Sequence, residues 1–185
     1  MAIGESAFGA LTIRCARPED AAVLVKWWND GAVMAHAGFP NGLGTTVSKV
    51  RERIARGRLF IIEHAGVPVG EMNYREITPE RAEIGIKICE SDRQNRGLGR
   101  ILLSMFLSSL FEEGGYSVIA LDTNLQNLRA RHVYELLGFR KLRVNRDSWT
   151  DQLGRLQSSV DYELTQETFV DFRKAPGAEA IADAE

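Results

Sequence analysis

Three observations predict a mixed α/β fold on one central sheet. Strand-like and helix-like patterns follow in the order strand, two helices, three strands, helix, strand, helix, two strands. A strand-like run at 82–88 leads through a two-glycine turn directly into a strongly apolar helical pattern. The 185 residues, 44% hydrophobic and 26% charged, have the size and composition of one globular domain with its own buried core.

Each element has a local reason. Residues 11–16 alternate as a first strand, and Pro18 suits the first turn of a helix running to Trp28, ended by Asn29-Asp30-Gly31. Residues 38–44 are glycine-rich and predict a loop. Thr45 or Thr46 can cap a second helix that stops at Gly57. Residues 59–63 and 67–74 predict a hairpin around Ala65-Gly66. After the strand at 82–88, a helix from Gly97 runs to Gly114-Gly115. A strand at 118–123, a short helix at 127–137 and a strand pair at 139–144 and 160–164 complete the pattern. A single domain is expected over 11–173, with 1–10 and 174–185 as flexible termini.

Several function classes are disfavoured. The net charge of −2 and the lack of a Lys/Arg block give no electrostatic case for nucleic acid. The longest apolar stretch, 101–111, is too short for a bilayer, so no membrane association is expected. No basic region precedes an apolar one near the start, which argues against a secretory signal. Cys15 and Cys89 then read as reduced thiols, and a cytoplasmic location is expected. His36, His64 and His132 are scattered, with no cysteine at zinc-ligand spacing, so no metal is expected. His132 is assigned to the outer surface of its helix.

The segment Gln94-Asn95-Arg96-Gly97-Leu98-Gly99 carries the most chemical information. The first turn of a helix has N–H groups without intrahelical partners and carries partial positive charge, and glycines allow close approach of an anion. A phosphate-binding loop is therefore expected. The P-loop pattern fails because Arg100 and Ile101 follow Gly99 instead of Lys-Ser/Thr, and a dinucleotide fingerprint matches only in part, since Leu102 stands where a third small residue is needed. About thirty residues downstream stand Asn127, Ala130, Tyr134, Gly138 and Phe139.

The first segment resembles the Gln/Arg-x-x-Gly-x-Gly/Ala pyrophosphate loop of the GNAT superfamily of N-acetyltransferases. The second resembles that family's Asn-x-x-Ala-x-x-x-Tyr-x-x-x-Gly-Phe signature, in the family's order and at its separation. The resemblance covers roughly residues 82–140. It implies a mostly antiparallel central sheet with flanking helices, in which two parallel strands, here 82–88 and 117–123, splay to form an acyl-coenzyme A cleft. Acetyl-coenzyme A is then the implied co-substrate. Backbone groups near Ile86 and Ile88 would hold the pantetheine arm, and the amides of Gly97, Leu98, Gly99 and Arg100 the pyrophosphate. Gln94 and Arg96 would flank it, and Asn127 would cap its helix and face the arm. A plain surface charge for Arg96, turn glycines for Gly97 and Gly99, and a simple N-cap for Asn127 are the structural alternatives.

Acetyl transfer also requires that the amine lose its proton, since a lysine-like ammonium of pKa about 10.4 is only on the order of 0.1% neutral at pH 7. The resemblance places Glu83 in the register of the catalytic glutamate of the histone acetyltransferase branch, with Glu71 on the preceding strand as second choice. It makes Tyr134 the candidate general acid, able to donate a hydrogen bond or proton to the leaving sulfur. A core tyrosine is the alternative. Trp27-Trp28-Asn29-Asp30 resembles the branch that acetylates ribosomal-protein N-termini and some antibiotics, so Trp28, Asp30 and Glu71 are acceptor-site candidates. The acceptor would be a protein N-terminus or a small amine. A homodimer is a further expectation from the late strand pair. The competing reading is a non-catalytic acyl-coenzyme A-binding module; a third is a nucleotide site at the glycine loop.

Overall fold

The computed structural model describes residues 4–184. In chain order the elements are β1 (Ser6–Phe8), β2 (Leu11–Cys15), α1 (Ala21–Trp28), α2 (Gly31–Met34), α3 (Val47–Ile54), β3 (Leu59–His64), β4 (Val67–Thr78) and β5 (Arg81–Ile88). There follow α4 (Leu98–Glu112), β6 (Val118–Asn124), α5 (Leu128–Leu136), β7 (Arg140–Thr150), β8 (Leu156–Thr165) and α6 (Ala178–Ala182). Eight strands form one sheet in the order β1-β2-β3-β4-β5-β6-β8-β7. Every neighbouring pair is antiparallel except β5 and β6.

Alternation along the strands splits the core into two layers. Phe60, Ile62, Met72, Tyr74, Ala82 and Ile84 point to one face and pack against α4, whose Ile101, Leu102, Met105, Phe106 and Leu110 are buried. Leu59, Ile61 and Cys89 point to the other face, where Leu24, Trp27 and Trp28 of α1 and Val50 and Ile54 of α3 cover them. Among the described residues no helix is long and apolar enough to cross a membrane. Cys15 and Cys89 are both free.

The structure extends or corrects several expected elements. Pro18–Asp20 forms a 3-10 turn ahead of α1, and part of the stretch after Asp30 is helical as α2, capped by the Asp30 carboxylate accepting the Ala32 N–H at 2.8 Å. The late strand pair is longer than expected, because turn-favouring Asn145, Asp147 and Asp151 are absorbed into an irregular hairpin. The described parts of the two expected loose termini are laid on the domain. β1 pairs with β2, and Ala178 and Ala182 of α6 are buried against the core. The Asp183 carboxylate accepts the Ala10 N–H at 2.7 Å. An alanine pair at helical spacing is too weak a signal to separate a docked turn from a mobile tail by pattern alone. Residues 1–3 and 185 of those termini lie outside the described residues.

One half-buried ion cluster joins the sheet to the turn that leads into α1. The Arg14 guanidinium donates to both Asp20 carboxylate oxygens, at 2.8 and 2.9 Å, and to Glu63 at 2.8 Å. Asp20→Ala should therefore destabilise the fold by about 2–3 kcal/mol, the scale of hydrogen bonds to a charged group, read from chemical denaturation. Arg14 holds the Asp20 carboxyl below the usual carboxylate range. That contribution is complete above the unfolded-state value of about 3.9 and fades as pH falls through the lower folded value. An acid limb of stability that is the same in parent and variant would contradict this.

Candidate active site

β5 and β6 pair only through Arg81↔Val118, Ala82↔Ile119 and Glu83↔Ala120. Beyond that point β5 stays with β4 and β6 stays with β8, so the two parallel strands part. On this flank the backbone of residues 84–88 has no sheet partner, which creates a place for an extended chain to add as a strand. A cavity of about 520 Å³ fills the opening. Ile86 and Ile88 line one side, Ala130, Val133 and Tyr134 of α5 the other, and the α4 N-terminus closes one end.

The glycine loop is built for close approach to an anion. Gly97 is the N-cap of α4 with φ +81°, and Asn95 also has positive φ, at 61°. Leu98, Gly99 and Arg100 of the first turn line the cavity, and the amides of that turn have no carbonyl before them in the helix. Four arginines line the same wall: Arg93, Arg96, Arg100 and Arg129. Arg129 donates to Gln94 Oε1 at 3.1 Å and Asn95 Oδ1 at 3.0 Å, while the Gln94 amide donates to the Ile88 carbonyl at 2.9 Å. Gln94 thus fastens the loop to the end of β5. Of the nominated cofactor residues, Ile86, Ile88, Gln94, Arg96, Gly97, Leu98, Gly99 and Arg100 all line this cavity. Asn127 does not; its side chain accepts the Ala130 N–H at 3.3 Å as the cap of α5. His132, assigned to the outer surface, is exposed but lies on the cavity rim.

Tyr134 is buried, with its ring edge-on to Phe139 and Tyr162, and it faces the cavity. Burial, then the charges of Asp122 and Tyr162, push its phenol well above the ordinary value, so it remains a donor across the physiological range. The packing and donor readings of this residue therefore coexist.

Glu83 sits at the vertex of the split, on the α3 side of the sheet, with Arg75 Nη2 donating to it at 2.9 Å. It lines a second cavity rather than the first. Asp122, which pattern reading passed over, stands two residues beyond the last β5–β6 pair on the same face of β6 as Ala120. It keeps contact with solvent, yet crowding by protein raises its pKa, and the nearby Glu83 and Asp161 carboxylates add to the effect. An alternating strand, with Ile119 and Leu121 turned into the core and Ala120 and Asp122 on the opposite face, is the signal that could have found it.

The acceptor-site candidates fare differently. Trp28 is 3% exposed and Trp27 1%, so the expectation that Trp28 serves the acceptor site is corrected. Both fill the α1–α3 layer. Trp27 satisfies its N–H on Glu90 at 2.7 Å, and Arg53 covers Trp28 at 4.7 Å. Asp30 is spent as a helix cap. Glu71 is buried and tied to Lys87 at 2.7 Å and Asn73 at 3.2 Å, which removes its lone pairs from easy reach. Among the described residues no three His, Cys, Asp or Glu side chains gather as a metal site.

A family model described as an acetyltransferase (GNAT) domain matches residues 10–140. The chain belongs to the GNAT acetyltransferase family, and the fold is a GNAT fold. An acetyltransferase (GNAT family) from Bacillus anthracis is 18% identical with a TM-score of 0.75, covering 88% of this chain and 99% of its own. A spermidine N-acetyltransferase from Vibrio cholerae, in complex with CoA and spermine, is 22% identical with a TM-score of 0.75 over 86% and 97% of the two chains. RimL, a ribosomal L7/L12 alpha-N-protein acetyltransferase in complex with coenzyme A, is 16% identical with a TM-score of 0.75 over 89% and 98%. No curated protein sequence is a significant match.

Proposed function

We propose that this acetyltransferase moves an acetyl group from acetyl-coenzyme A to the primary amine of an acceptor by direct transfer. The observation that carries the reading is the strand split at Glu83 and Ala120, with an arginine-lined helix N-terminus at one end and a proton-handling trio, Glu83, Asp122 and Tyr134, at the other. The residues present suit the co-substrate. The unpaired β5 backbone offers strand-like hydrogen bonds to a pantetheine arm, and the α4 amides with Arg93, Arg96, Arg100 and Arg129 offer charge to phosphates. When bound, the thioester supplies an activated acyl carbon and a thiol leaving group.

The side chains divide the remaining work. Asp122 and Glu83 compete to take the proton from the incoming ammonium, and a carboxylate raised toward neutrality is the better base. Tyr134, which lines the first cavity, would face the departing sulfur. A coenzyme A thiol resembling cysteine has a pKa of about 8.5, so complete transfer from a phenol of about 10 is already uphill by roughly 2 kcal/mol. Burial makes it more so. The hydroxyl therefore acts as a hydrogen-bond donor to developing charge, not as a source of a fully transferred proton.

The test is free-thiol release from acetyl-coenzyme A with a panel of amines. Tyr134→Phe keeps the ring and its contacts with Phe139 and Tyr162 while deleting the donor. Its kcat should fall by about 10²-fold with folding and coenzyme A affinity nearly unchanged. A phenylalanine variant turning over at the parent rate would reduce Tyr134 to packing, and a parent that binds coenzyme A but acetylates no amine would favour the non-catalytic module.

A further inference from the structure

We propose that the C-terminal segment, Phe172 to Asp183, belongs to the coenzyme A site, because it holds two of the four cavity arginines: Arg93 through His64 and Arg100 through Phe172. The inference rests on reading the first cavity as the coenzyme A site and names positioning residues for it. His64, at the end of β3, is 4% exposed and takes no part in the chemistry described above. Its Nε2 lies 3.0 Å from the Ala182 carbonyl oxygen and its Nδ1 3.3 Å from Arg93 Nη1. A carbonyl only accepts and a guanidinium only donates. The two contacts therefore fit one arrangement, with the ring proton on Nε2 and a lone pair on Nδ1. The imidazole is a rigid spacer between the backbone of α6 and Arg93.

Phe172 does the same for Arg100, whose guanidinium carbon stands 5.3 Å from the ring centroid. The Phe172 N–H donates to Ser104 Oγ at 2.9 Å, which fixes this part of the segment along α4. Further on, Ile181 packs beside the glycine loop, where a Cβ at Gly97 would meet its Cγ2 at 3.4 Å. The Asp183 carboxylate ties the far end to Ala10. His64, Phe172 and Ile181 do not line the cavity, so each can act on a bound phosphate only through the arginines or the loop.

Both supports are uncharged, and that is what a phosphate site needs. A carboxylate would orient an arginine and cancel its charge. An imidazole lone pair or an aromatic face orients it and leaves the charge in place. Asp92 lies 3.4 Å from Arg93 Nε, but its side chain is 66% exposed, where an ion pair is worth little. A buried histidine bonded to a carbonyl has an ordinary explanation as packing, and that accounts for Ala182. It does not account for a cavity arginine on the other ring nitrogen, nor for a second cavity arginine on the same segment.

The experiment is calorimetry of coenzyme A with the full chain, arranged as a double-mutant cycle. His64→Leu should weaken binding by about fivefold or more, Arg93→Gln by as much, and the two together by no more than about twice either alone. His64→Gln, which keeps one donor and one acceptor, should recover most of the loss. Phe172→Leu should weaken binding in the parent and not in an Arg100→Gln background. By reciprocity, coenzyme A should slow hydrogen exchange at the amides of 178–183 in the parent, and do so less in Arg93→Gln. Losses that multiply in the double variant, an Arg93→Gln protein that binds like the parent, or exchange at 178–183 unmoved by coenzyme A would overturn the proposal. If His64→Leu does not fold, the exchange comparison of parent and Arg93→Gln decides. Gly99→Glu separates the two failures. Coenzyme A binding that survives it overturns the cavity reading, whereas binding lost there and unchanged in His64→Leu and Phe172→Leu overturns this proposal alone.

Discussion

Replacing Gly99 by Glu is expected to abolish the thermal stabilisation that coenzyme A confers. A ligand that binds only the native state contributes about 2.7 kcal/mol at a hundredfold excess over its Kd, worth roughly 5–11 °C in Tm for a chain of this length. The substitution tests the loop because the fold can accept it. A Cβ at Gly99 would meet only Ile88 Cδ1, at 3.9 Å, and the residue has no positive φ. A carboxylate in the first turn of α4 is also compatible with the helix dipole. The side chain would enter the cavity at the α4 N-terminus, beside the arginines proposed to meet the phosphates. The same change at Gly97 would be uninformative, since φ +81° strains any side chain there. A Gly99→Glu protein with the parent Tm and a full response to coenzyme A would show that the phosphates bind elsewhere.

The second large effect is expected at the carboxylate pair. Removing the true base should lower kcat at neutral pH by roughly 10²–10⁴, and the loss should shrink as pH approaches the amine's own pKa. Glu83→Gln and Asp122→Asn are to be compared in pH–rate profiles. With Asp122 raised by the crowding of protein around it and by its neighbours Glu83 and Asp161, the acid limb should lie above the ordinary carboxylate range. The active form is the deprotonated one, so activity climbs with pH through that limb. If Asp122 is the base, Glu83→Gln removes one of the charges that raise it and should move the limb to lower pH; if Glu83 is the base, the same change should abolish the limb. Asp122→Asn should abolish the limb if Asp122 takes the proton. Profiles identical to the parent in both variants would place the base elsewhere. Glu71, held by Lys87 and Asn73, is poorly arranged to supply it.

The elements that carry strong periodicity were legible. The hairpin of β3 and β4, the β5–glycine turn–α4 unit and the β6–α5 unit each combine an apolar repeat with a glycine or polar stop, and they stand within a few residues of expectation. Short docked pieces were not. β1 owes its place to Leu11 and Ile13 of the neighbouring strand, and α6 to two alanines and to the Asp183 contact with the other end of the chain. Such pieces hold by tertiary contact, with little propensity of their own to read.

The site divides in the same way. The glycines, the arginine within the loop, and the Asn-to-Phe signature of α5 are local patterns, because an anion site needs consecutive amides and a helix needs its cap. Sequence alone therefore determined the family, the sheet class and most of the first cavity's lining. Which charged groups meet was decided only when distant strands came together. Arg129 reached the loop from another helix, Asp122 came beside Glu83 across the parallel pair, and Arg53 came from α3 to lie over Trp28. Tertiary structure also withdrew Trp28 into the core, where burial of a large aromatic ring outweighs any gain from lining a wet cleft. Electrostatic neighbourhoods depend on through-space distances of a few ångströms between residues tens of positions apart, and no periodicity along the chain encodes those.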